Sequence, residues 1–196
     1  LSGLLIARAA QSAGKNWKLL EARPTLGGRL QNDDDGNKID LGGAWIWPRH
    51  QPLIKDLVDA LDIKTFLQPD DSSSTRIVGG AAEIITKIVG ELYTDTETRI
   101  ETNCPVVSCK RKEGAIIEVQ VSSGNVFNAK IVVLAAPPRI ISQQINFEPP
   151  LSNAKSKAMS ISQTWMAGVT KVALGYRSPR FWPLHESNGG FRPGPN

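Results

Sequence analysis

The sequence predicts an α/β fold with a β-meander set into it, and three observations carry that reading. Apolar residues recur at helical spacing in several stretches before residue 93. From residue 98 onward the period changes to two, in three β-rich runs separated by turn signals. Pairs of glycines punctuate the first half of the chain, where helices and strands must hand over to loops.

Taken in order, residues 3–13 read as a helix: Leu4, Leu5, Ala7, Ala10 and Ala13 suit it, and Gly14 stops it. Trp17–Leu20 is a short strand ended by Glu21. A turn-rich loop with Pro24, Gly27 and Gly28 follows, then a polar run (Asn32 to Asn37) expected at a surface turn. Residues 51–61 place Leu53, Ile54, Leu57, Val58 and Leu61 on one helical face, and 81–92 form a second helix. Between them PDDSSST (69–75) reads as a short exposed connector. The β-rich runs are TRIETNCPVVSCKR, GAIIEVQVSS and NVFNAKIVVLAA. The run IVVLAAPP, apolar up to its prolines, is expected as a fully buried strand. Residues 152–160 read as a helix and 164–176 as another strand. The Gly/Pro-rich tail from Leu184 has no core pattern.

Composition sets the outer limits. The chain has 196 residues, enough for one large domain or two small ones, and its net charge is only +4. The densest basic cluster, Lys110-Arg111-Lys112, is followed at once by Glu113 and reads as a solvated strand end, not a nucleic-acid surface. No apolar run approaches membrane-spanning length. Cys104 and Cys109 are an odd number apart and roughly 16 Å distant in an extended chain, so free thiols and a reducing compartment are expected. His50 and His185 are isolated; no triad, metal spacing or G-x-S-x-G nucleophile turn can be built.

The chemistry concentrates near the N-terminus. A strand, a glycine turn and a helix start make a site for pyrophosphate, because backbone N–H groups and the helix dipole face the anion. The full pattern is G-x-G-x-x-G with an acidic residue about 20 positions on, for the ribose hydroxyls. Leu1-Ser2-Gly3 matches its last three positions, and Glu21 closes the next strand eighteen residues later. LLEARPTLGGRL then adds Arg23, Gly27, Gly28 and Arg29. Adjacent glycines admit close backbone approach, and an arginine after them can grip phosphate oxygens in a bidentate fork. DLGGAW brings a second pair, Gly42 and Gly43, before Ala44 and Trp45. Turns alone explain each piece but not their order.

The series LSGL, LLEARPTLGGR and DLGGAW resembles the FAD-binding segment of the flavin-containing amine oxidase family. The likeness continues through TRIVGG, NCPVVS, IVVLAAPP, INFEPPL and GVTKVALGYRSPRFWP, nearly all of residues 1–183. It implies a Rossmann-like FAD-binding domain of the glutathione reductase type with an inserted β-meander, plus part of a mixed-sheet substrate domain. The expected boundaries are 1–68 and 69–138 for two parts of the FAD domain, 139–183 for the partial substrate domain, and 184–196 for the tail. It further implies that Gly3 faces the pyrophosphate and Glu21 binds the adenosine ribose. Arg29 would contact phosphate beside Arg23 and Gly28, and the Val106 backbone the adenine end. Gly42, Gly43, Ala44 and Trp45 would line the flavin, and Lys171 would hold a water near its N5 atom. From its own strand pattern Lys171 reads only as a solvent-facing residue.

The activity implied is oxidation of a small amine to an imine, with O2 as acceptor and H2O2 as product. Carotenoid desaturases and protoporphyrinogen oxidases carry similar Gly-Gly-Arg segments, and GDP dissociation inhibitors use the scaffold without flavin; these are the alternatives. The sequence departs from the family pattern in three places. The first strand and first two glycines are missing, the segment between DLGGAW and RIVGG is short, and the C-terminal return is absent. We therefore expect a fragment of a longer polypeptide that, as it stands, is inactive and binds FAD weakly.

Overall fold

The computed structural model describes residues 1–33, 38–68, 71–92, 99–164 and 168–173. In chain order the elements are α1 (Ser2–Ser12), β1 (Leu19–Leu20), β2 (Trp45–Ile46), α2 (Pro52–Ala60), β3 (Thr65–Gln68), β4 (Asp71–Ile77), α3 (Glu83–Leu92), β5 (Ile100–Glu101), β6 (Val106–Arg111), β7 (Ile117–Val121), β8 (Val126–Ala129), α4 (Pro138–Gln144), β9 (Asn146–Glu148) and α5 (Asn153–Ile161). They form two compact units, Leu1–Gly28 with Ile88–Val169, and Arg29–Lys87 with Thr170–Asn196.

In the first unit α1 buries Leu4 and Ala7, one turn apart on the same face. It ends where Gly14 turns left-handed (φ 62°) and its N–H reaches the Gln11 carbonyl at 2.9 Å, a glycine stop of the expected kind. The helix is tied to a distant segment by Arg8, whose Nε lies 2.5 Å from the Glu91 carboxylate. Strand β1 pairs in parallel with β5, Leu19 opposite Ile100. The meander is a four-stranded sheet of order β8-β7-β6-β9, antiparallel through β6, β7 and β8, with β9 parallel to β6. Period two puts Cys109, Val119 and Val121 inside, with Cys109 opposite Val119. Its basic strand end is solvated and paired: Lys110 bonds Glu148 at 2.7 Å and Lys112 bonds Glu118 at 3.1 Å. Helices α4 and α5 pack together; Ile141 is buried, and the Ser152 hydroxyl caps α5 by accepting from the Lys155 N–H at 3.3 Å.

The second unit holds a three-stranded antiparallel sheet of order β2-β4-β3. Its apolar core includes Ala44, Ile46, Val58, Leu61, Ile63, Ile77, Ile84 and Ile85.

Three expectations need correction. The connector expected at 69–75 is in part a strand: from Asp71 onward the chain is β4, the central strand of its sheet, with Ser74 and Thr75 buried. Hydroxyl side chains suggest a loop, but ladder partners on both edges decide the matter. IVVLAA, expected as a buried strand, pairs with no strand among the described residues; Ile131 is 80% exposed and Val133 55%. Full burial needs neighbours on both edges, and no strand among the described residues pairs with it. Of the strand expected at 164–176, residues 168–173 form none, while 165–167 and 174–176 lie outside the described residues, as does the tail. Both cysteines are free and buried.

Candidate cofactor site

In the first unit the candidate residues gather at the start of α1 and the end of β1. The first N–H groups of α1 have no partners in their own helix, as at any helix N-terminus, and Gly3 lies in that first turn. A Cβ added to Gly3 would stand 3.5 Å from the Ala135 Cβ and 3.8 Å from Leu19, ordinary contact, so packing alone does not demand glycine there.

Glu21 is fixed through its backbone. Its N–H donates to the Glu101 carbonyl at 2.8 Å, and its own carbonyl accepts from the Cys104 N–H at 2.9 Å. Its side chain accepts from the Arg23 N–H at 3.0 Å, and the Arg23 carbonyl accepts from Asn103 at 3.0 Å. One carboxylate oxygen is thereby oriented, and the other has no hydrogen-bond partner among the described residues. Gly28 adopts φ 65°, and a Cβ there would come within 3.9 Å of the Arg23 guanidinium. Val106 opens β6 two residues after Cys104, where the register slips between Val106 and Ser108 and frees backbone from the regular ladder. The structure thus brings Glu21, Arg23, Gly28 and the segment leading to Val106 into one neighbourhood.

In the second unit the two glycine motifs become the legs of one antiparallel ribbon. The Gly43 N–H donates to the Arg29 carbonyl at 3.2 Å, and Leu41 and Gly42 donate to the Gln31 carbonyl at 2.8 and 3.2 Å. Farther out, Asn32 bridges Asp40. The ribbon explains Gly42: a Cβ would fall 1.8 Å from the Arg29 carbonyl oxygen, so no other residue fits. Ala44 is buried beyond it, and Trp45 is 42% exposed, its indole N–H donating to Gln68 at 3.2 Å. Lys171 joins this group from far along the chain. Its ammonium donates to the Gly42 carbonyl at 2.6 Å and lies 5.0 Å from the centre of the Trp45 ring.

Sequence reasoning missed Asp40, a buried residue of the ribbon itself. Its carboxylate accepts from the Ala81 N–H at 2.6 Å and from Arg76 Nη2 at 3.3 Å. The local signal of an N-cap does not reveal it, since the amide it caps is 41 residues away. Among the described residues no group of three or more His, Cys, Asp or Glu could hold a metal, and no helix is long and apolar enough to cross a membrane.

The oriented carboxylate of the first unit and the glycine ribbon of the second are each parts that nucleotide-cofactor proteins use, and comparison with known proteins identifies the class. The family model for flavin containing amine oxidoreductases matches residues 1–78 and 70–195. The chain belongs to that family, whose cofactor is FAD, as the motifs implied. Putrescine oxidase from Kocuria rosea is 39% identical over 77 residues, 39% of this chain and 16% of the relative. (S)-6-hydroxynicotine oxidase from Paenarthrobacter nicotinovorans is 32% identical over 41% of this chain and 20% of its own length. A probable flavin-containing monoamine oxidase A from Dictyostelium discoideum is 33% identical over 41% and 18%. The matched stretch is thus at most a fifth of these curated relatives. Among solved structures, putrescine oxidase bound to putrescine superposes with a TM-score of 0.69 at 18% identity, covering 81% of this chain and 60% of that one. A triple mutant of the same enzyme gives the same values. These likenesses establish the fold.

Proposed function

We propose that this chain is the cofactor-binding part of an FAD-dependent amine oxidase, built on the glutathione reductase type of FAD domain with part of a mixed-sheet substrate domain. The observation that carries the reading is Lys171 seated on the Gly42 carbonyl and over Trp45. Lys171 is exposed, yet its ammonium makes both contacts, and the family resemblance assigns this position to the flavin's neighbourhood.

In this reading the N-terminus of α1 at Gly3 binds pyrophosphate, and the open oxygen of Glu21 accepts from the ribose hydroxyls. Arg29, with Arg23 beside Gly28, neutralises phosphate charge, and the Val106 backbone meets the adenine. Gly42, Gly43, Ala44 and Trp45 would line the flavin. When bound, FAD supplies the two-electron acceptor for the oxidation. Lys171 spends one of its three N–H donors on Gly42, so two remain to hold a water at the reacting face. The net reaction takes a hydrogen with its electron pair from the carbon beside nitrogen and a proton from the nitrogen, giving an imine. Two electrons and two protons end on O2 as H2O2.

The test uses the complete protein. A panel of amines, putrescine first because a relative and the solved structures are putrescine oxidases, should release peroxide. Lys171→Met should slow flavin reduction or reoxidation by about tenfold or more. Unchanged rates for both half-reactions remove Lys171 from the site, and a flavin-loaded protein that oxidises no amine overturns the reading.

A further inference from the structure

We propose that Asp40 is a positioning residue: its buried carboxylate holds the Gly42–Trp45 segment in the shape that receives the flavin. What the segment receives rests on the functional reading above; how it is held rests on geometry independent of that reading.

Asp40 is 3% exposed, and each of its oxygens is engaged. Oδ1 accepts from the Ala81 N–H at 2.6 Å, and Oδ2 accepts from the Arg76 guanidinium at 3.3 Å. Ala81 begins the turn that leads into α3, with Ile84 N–H donating to its carbonyl at 3.3 Å, so Asp40 satisfies an orphan donor at a helix start from across 41 residues. Arg76 stands on the central strand β4, directly opposite Trp45 in the ladder. One carboxylate therefore ties the ribbon leg just before Gly42 to the strand that carries Trp45 as its partner. The segment Gly42–Trp45 is held at both ends by one side chain that itself touches neither end.

The same arrangement accounts for the second glycine of TRIVGG. At Gly80 (φ 84°) a Cβ would lie 2.8 Å from Asn32 Oδ1, 2.9 Å from the Lys38 carbonyl and 3.0 Å from Asp40 Oδ1. That glycine is there so the turn before α3 can close on the carboxylate. Removing this buried carboxylate leaves Arg76 and the Ala81 amide without their acceptor.

The experiment compares the complete wild-type protein with Asp40→Asn and the milder Arg76→Lys. Amide hydrogen exchange is followed in the flavin-free proteins, and FAD affinity and the absorption spectrum of bound flavin are measured by titration. In Asp40→Asn, exchange at 41–46 and 79–83 should quicken by about tenfold with the rest of the chain unchanged, and the Kd for FAD should rise by about tenfold. The flavin spectrum should lose resolution as its surroundings loosen. Arg76→Lys should move the same quantities less and in the same direction, and it serves if Asp40→Asn fails to fold. Exchange that quickens uniformly, or FAD affinity and spectrum that stay at wild-type values while the two segments loosen, overturns the proposal. A wild-type protein that takes up no FAD removes the functional reading alone; the exchange pattern then decides the clamp by itself.

Discussion

The two units hold their candidate residues by different means. In the first, Glu21 stands at the end of a short parallel pairing, its carboxylate turned by the amide of Arg23 only two residues on, and Gly3 lies in the first turn of a regular helix. In the second, the ribbon legs 29–33 and 39–43 belong to no named strand. The ribbon is held by a buried carboxylate reaching 41 residues ahead and by an ammonium 129 residues away. A site made from the ends of regular elements takes its geometry from backbone periodicity. A site made from a ribbon needs polar side chains to fix it, and such side chains are costly to lose.

Glycine substitutions test this contrast most severely. Gly42→Ala would force a Cβ to 1.8 Å from the Arg29 carbonyl, so the ribbon must open. We expect a loss of about 3 kcal/mol or more of stability in denaturant unfolding, and loss of FAD binding in the complete protein. Gly3→Ala meets only ordinary contacts and sits in a helix, so stability should hold or rise by up to about 1 kcal/mol. On the proposed reading, in which Gly3 faces the pyrophosphate, its FAD affinity should nevertheless fall. Equal stability losses in the two variants would erase the distinction between the units.

Glu21→Gln gives a middle-sized effect. The amide can still accept from Arg23, so the fold should be unperturbed; on the proposed reading, in which Glu21 binds the ribose, affinity for FAD should drop about tenfold. Unfolding and flavin titration measured on one sample separate the two quantities.

The smallest effect concerns pH. Lys18 pairs with Glu101, the β5 residue opposite Leu20, and its hydrogen bond and charge hold the Glu101 carboxyl below the usual carboxylate range, against a smaller opposing effect of burial. A carboxylate lowered on folding adds stability above its unfolded pKa, and that stability is lost as pH falls through the lower folded value. Lys18→Met should therefore flatten the acid limb of a stability–pH curve while leaving neutral stability changed by less than about 1 kcal/mol. An acid limb of unchanged slope would show that the pair contributes nothing to the β1–β5 join.

Much of this was legible in the sequence, and the exceptions share a cause. Helices α1, α2, α3 and α5 follow from spacing and stop signals, because a helix is a local structure. The meander followed from its period and its glycine turns, Gly114 and Gly124, both left-handed. Strand β4 did not, since Ser72-Ser73-Ser74 carries no β pattern and becomes a strand only because β2 and β3 flank it. Short α4, begun by Pro138, and the three residues of β9 were too brief to register. The motif order pointed to Arg29 and Gly43 separately; that they are bonded partners in one ribbon required the fold. Lys171 was marked as a site residue by resemblance alone; it is exposed, as its pattern suggested, and its bond to Gly42 required the fold. Asp40 preceded a glycine pair in plain view, yet nothing local distinguishes a buried capping carboxylate from a surface one.

The unpaired run at 131–135 has a practical consequence. Ile131, Val133 and Leu134 are exposed in a stretch with no charge between Lys130 and Arg139, and it pairs with no strand among the described residues. Such a segment is a template for strand addition by another molecule. Expressed by itself, the 196-residue chain should go into inclusion bodies or oligomerise as concentration rises, and replacing Val133 with lysine should raise its soluble yield.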